Sequence, residues 1–157
     1  MAARRPVVAL LACAFIVGAT SFVLADAVPP TLPSERVEHH LRHVDRLSGH
    51  FEAVLANGCP RFASRAAWDD YVEGETDRLV LLMAHLEEAW LEAKRTGDDD
   101  LRRTAKAPRR QMEQGRQLID KLQACAERNG ASLAPLSVWR RIERDVPRRQ
   151  TEIALPR

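Results

Sequence analysis

Along most of this chain apolar residues return every three or four positions, the period of an α-helix with one buried face. The clearest run is Trp68, Val72, Glu75, Leu79, Leu82, Leu86, Trp90 and Ala93, broken only by the acid at Glu75. Ser64 precedes it as an N-cap and Thr96-Gly97 ends it. An earlier helix is predicted from about Glu35 to Asn57, with Ser34 as N-cap, Glu35 at the positive end and Asn57-Gly58 as the stop. Its inward set is Val37, Leu41, Val44, Ser48, Phe51 and Leu55, widened by Leu47 and Val54. A third helix opens after Asp98-Asp99-Asp100 and carries Leu101, Ala105, Pro108, Met112, Gly115, Ile119, Leu122 and Ala126 as far as Asn129-Gly130. Pro108 has no N–H to give, so it either kinks this helix or opens a second segment. The fourth helix is short, Pro135 to Val146, with Leu136, Trp139, Ile142 and Val146 inward. Pro147 stops it, and residues 148–157 form a loosely docked tail.

No useful β-alternation interrupts these segments, and the connections between them are short. Neighbouring helices therefore pack antiparallel, as an all-α up-down bundle of about four helices over residues 34–147. The long helix 2/helix 3 hairpin dominates it, with helices 1 and 4 shorter. Val44-Asp45-Arg46-Leu47, Thr76-Asp77-Arg78-Leu79 and Ile119-Asp120-Lys121-Leu122 look alike, but matches this short arise by chance on amphipathic helices.

The N-terminus has the anatomy of a secretory signal over residues 1–25. Arg4 and Arg5 precede an uncharged run from Val7 to Ala25, with cleavage after Ala25 or Ala27. The rival reading is an inner-membrane signal anchor that keeps the bundle outside the cytoplasm. Leu10-Leu11-Ala12-Cys13 is a poor lipobox, because the apolar run continues well past Cys13. Residues 26–33 contain Pro29, Pro30 and Pro33 and read as an extended tether.

Removing the leader removes Cys13 and leaves Cys59 and Cys125, a single pair for an oxidising compartment. Cys59 follows helix 1, and Cys125 lies about one turn before the end of helix 3. In an up-down-up arrangement those ends share one pole, so a structural disulfide is expected. Neither a Cys-x-x-Cys nor a Cys-x-x-Cys-His is present to support redox chemistry or covalent haem.

Histidine offers the next candidates. His39, His43 and His50 fall within about 40° of one another on a helical wheel. His39 and His43 have the i,i+4 spacing that shares a metal ion, but on a face turned away from the core. His50 is too far along to join them, and His40 points toward the apolar side. His85 belongs to helix 2. Met83 and Met112, the sulfur partners a non-covalent haem would need, are better read as core filling, so no cofactor is expected. Gly-x-Ser-x-Gly, His-Glu-x-x-His, phosphate loops and paired Glu-x-x-His are absent. Glu75 stands out as an acid on an apolar stripe and is expected in an ion pair, with Arg116 one candidate partner. Trp68, Trp90 and Trp139 read as core. Arg102-Arg103, Arg109-Arg110, Arg140-Arg141 and Arg148-Arg149 read as solvated faces.

The chain has 157 residues, 24 Lys+Arg and 22 Asp+Glu, a formal charge of +2. That balance excludes a strongly basic nucleic-acid binder. Without the leader the charge is zero, but not evenly spread: residues 26–100 carry −8 and residues 101–157 carry +8. Opposite halves favour packing on each other or head-to-tail self-association. The expectation is a non-catalytic periplasmic or secreted bundle that works through contact with an envelope protein or an anionic envelope surface. The alternatives are a metal-binding protein using His39 and His43, and a small enzyme with a site between helices.

Overall fold

The computed structural model describes residues 30–156. The leader, its cleavage points after Ala25 or Ala27 and the start of the 26–33 tether lie outside those residues. The chain is an all-α bundle: α1 (Pro33–Ala56), α2 (Arg65–Thr96), α3 (Asp99–Lys106), a 3₁₀ turn (Ala107–Arg109), α4 (Arg110–Arg128) and α5 (Pro135–Ile153). Three helix ends follow the sequence rules. Ser64 Oγ accepts from Ala67 N at 3.2 Å, Asp98 caps α3 through Asp100 N and Leu101 N, and Gly97 takes the left-handed φ of 73° that ends α2. Helix α1 starts earlier than expected. Leu32 rather than Ser34 is its N-cap, Pro33 fills the first turn where an N–H is dispensable, and Glu35 accepts from Leu32 N at 3.2 Å.

Side-chain partners give the topology. Between α1 and α2, Arg36 meets Glu92, His40 meets His85 and His50 meets Glu75, so the two helices run antiparallel. Gln114 meets Glu52, Lys121 reaches Val54 and Leu55, and Cys125 joins Cys59, so α4 runs parallel to α1. The expected up-down order holds, with α2 packed against α1, α3 and α5.

The Cys59–Cys125 disulfide closes one pole, with Cα atoms 5.4 Å apart. Lys121 donates to the carbonyls of Val54, Leu55 and Asn57, serving as the cationic C-terminal cap that α1 lacks in its own last turn. Asn129 ties α4 to the α1–α2 loop through Phe62 N and Pro60 O. The main core lies at this pole and mid-bundle, around Phe51, Trp68, Leu79, Leu82, Leu118 and Ile119. A second, smaller cluster at the far pole is built on Val37, Ala89, Ala93 and Ala105.

Prolines account for the departures from expectation. Pro108 (ψ 31°) breaks the third helix through the 3₁₀ turn. Three residues at 3.0 per turn, not 3.6, advance the helix phase by about 60° more than α-helix does. Gln111 consequently turns inward, to 1% exposure, and Met112 turns outward, to 54%. Pro147 does not stop α5, which continues to Ile153, so the expected tail is half helix. Pro147 is exposed, as is Glu143, whose carbonyl loses the N–H that proline lacks. The inward face of α5 is Val138 and Ile142, with Trp139 and Val146 partly covered. Leu136 lies on the opposite side at 62% exposure, two residues and about 200° from Val138.

Candidate functional site

Four of the five histidines meet at the α1–α2 interface. His40 is fully buried and His85 nearly so, with Nδ1 atoms 2.9 Å apart. One Nδ1 must donate and the other accept. His40 Nε2 is buried without a partner, and a bare lone pair costs less there than an unpaired N–H. The network therefore assigns the shared proton to His40 Nδ1. His43 stacks on His85, ring centroids 4.4 Å apart and planes 8° from parallel, and Arg46 donates to its Nδ1 at 2.7 Å. His39 lies 4.8 Å from His43. Burial pushes His40 down to about 4 and His85 down to about 3, aided by neighbouring imidazoles and, at His85, by Arg46. His39 and His43 are lowered too, first by burial and then by Arg42 and Arg46. All four rings are thus held neutral near pH 7.

The structure places the expected His39/His43 pair in this cluster, at the edge of a core contact instead of on a free polar face. His85 completes the cluster, and its position on helix 2 gave no sequence signal that it would face helix 1. Among the described residues no three His, Cys, Asp or Glu groups are placed to hold a metal ion. Met83 fills the core against Gly115, and Met112 faces outward, against the expectation of core filling for both.

Glu75 is buried and paired, but not with Arg116. Its oxygens accept from His50 Nε2 at 2.8 Å and Arg78 at 3.0 Å. Arg116 instead lies 3.9 Å from Glu113, one turn away on its own helix. A second buried pair had no sequence signal, because Arg36 lies beside the α1 stripe and Glu92 beside the α2 stripe. Arg36 holds Glu92 through Nε and a terminal nitrogen, each at 3.1 Å, and donates to the carbonyls of Leu155 and Pro156. The chain end is thereby fastened to the bundle.

Two of the four basic pairs meet acids of their own helices: Arg102 pairs with Asp99, Arg103 with Asp100, and Arg149 with Glu152. Arg141 crosses to Glu73 and Asp77 on α2, joining the oppositely charged halves. The kink opens a groove of about 280 Å³ lined by Leu86, Trp90, Pro108 and Met112, with Glu87 and Lys106 among its walls. Lys106 Nζ sits 4.8 Å over the half-buried Trp90 ring. No helix among the described residues is long and apolar enough to cross a membrane. No family model, curated protein or solved structure matches the chain.

Proposed function

We propose that this is an exported, non-catalytic helical module that works by contact, and that the groove at the Pro108 kink is its contact face. The observation that carries the reading is the exchange between Gln111 and Met112. The fold buries an amide whose Oε1 has no partner and turns a methionine out beside Trp90 and Leu86. Both choices cost stability, and such departures from local consistency concentrate at functional surfaces. Methionine also suits an adaptable apolar contact. The walls carry both an acid, Glu87, and a base, Lys106, which favours a protein segment over a uniformly anionic surface. The disulfide supports an oxidising, extracytoplasmic setting.

The test is photo-crosslinking in cells from a reactive residue at position 112, with position 136 as an exposed apolar control on α5. Discrete protein adducts from 112 and none from 136 are expected, and Trp90→Ala should abolish them. Equal labelling from both positions, or none from 112, would refute the groove as the contact face.

A further inference from the structure

Three polar layers cross the α1–α2 interface, and the outer two each pair a base with an acid across it. Glu92 answers Arg36 at the far pole, and Glu75 answers His50 nearer the disulfide. Between them His40 and His85 share one proton between two neutral rings. The strongest charged or ionisable influences on these rings are Arg36, His39, His43 and Arg46 from α1 and Glu92 from α2, and Glu88, one turn from His85 on α2, is also buried. Glu92 is already held by Arg36 and Arg95, leaving it little to offer a new cation.

We propose that this histidine layer is an acid-triggered latch, whose protonation releases the first half of α1 from α2 while the disulfide pole stays closed. A first added proton places a positive charge in a buried layer flanked by arginines. A second puts an N–H on both facing Nδ1 atoms, and two donors cannot remain 2.9 Å apart. Both rings resist protonation in the closed form, because burial first, and then the neighbouring imidazoles and arginines, disfavour the added charge. An opened form in which they titrate normally gains about tenfold per ring for each pH unit below 6.5.

The packing makes the opening local. His40 precedes Cys59 by 19 residues, roughly 28 Å of helix if the whole span were helical. On the N-terminal side of the latch α1 is held by the alanine-rich cluster, the Arg36–Glu92 pair and the Arg36 bonds to the carbonyls of Leu155 and Pro156. On the other side lie the large core residues, the Lys121 cap and the covalent bond. The inference stands apart from the groove, which lies between α2 and the kinked helix.

Amide hydrogen exchange on the full chain at pH 7.5 and 5.0, corrected for intrinsic rates, tests it. Protection in residues 33–46 and 83–96 should fall about a hundredfold or more, whereas 50–56 and 118–128 hold theirs. His40→Leu/His85→Leu should remove the step, and His50→Gln should keep it. If the double variant does not fold, ring titrations of the wild-type histidines decide, because protonation of His40 and His85 must coincide with the loss of protection. Uniform loss across all helices, no loss at pH 5.0, a step retained in a folded double variant, or ring titration apart from opening would each overturn the latch.

Discussion

Arg36 and Glu92 face each other through two N–H···O bonds of 3.1 Å, with both side chains less than a tenth exposed. The same guanidinium donates to the carbonyls of Leu155 and Pro156, so one buried cation joins α1, α2 and the end of the chain. Removing one member of such a pair strands the other away from water, whereas removing both leaves only a packing defect. Arg36→Met or Glu92→Met should each lower stability by about 3 kcal/mol, on the order seen for broken buried pairs. The double variant should lose clearly less than the two single losses together. Urea unfolding of the three variants checks it, and simple additivity would show that the pair is not coupled.

The disulfide closes a separation of 66 residues and should contribute about 4 kcal/mol on the chain-entropy account. Cys59→Ser/Cys125→Ser should melt well below the oxidised chain, and reductant should shift wild type the same way. Mass spectrometry of exported protein should find no alkylatable thiol at either position without reductant.

Two helical glycines should respond in opposite directions. A Cβ at Gly49 meets nothing within 4 Å, so Gly49→Ala should stabilise by about 0.5–1 kcal/mol. A Cβ at Gly115 would stand 3.2 Å from Leu79 Cδ1 and 3.3 Å from Met83 Cε. Gly115→Leu should destabilise by about 1–3 kcal/mol through overpacking. Thermal melts of both variants would expose an error in either sign.

Zn²⁺ and Cu²⁺ titrations test the metal-binding alternative. Binding should be weak, because among the described residues no three donor groups are placed to hold one ion and Arg42 and Arg46 lie beside His39 and His43. Calorimetry of wild type against His39→Ala/His43→Ala measures it. Tight, saturable binding lost in the variant would restore that reading.

Light scattering across a salt series tests self-association. Arg141 already meets Glu73 and Asp77 within one molecule, so a salt-insensitive monomer is expected. Larger particles at low salt that dissolve on adding salt would assign the opposite charges to contacts between copies.

The period of apolar residues determined the all-α class, and Ser64 and Gly97 announced helix ends because caps are local chemistry, whereas the acid run 98–100 marked the start of α3 only to within two residues. The two cysteines were legible as a pair because topology brought them to one pole. What lay beyond reach depended on phase and on partners distant in the chain. A few residues of 3₁₀ turn exchanged Gln111 for Met112, and packing on α2 carried α5 through Pro147. His85, Glu92 and Lys121 became informative only when antiparallel and parallel neighbours placed His40, Arg36 and the carbonyls of Val54 and Leu55 beside them. The sequence by itself determined where helices form and which stripes bury. Only tertiary structure decided how the polar groups beside those stripes are paired, because a buried charge or ring answers to whatever faces it across the interface.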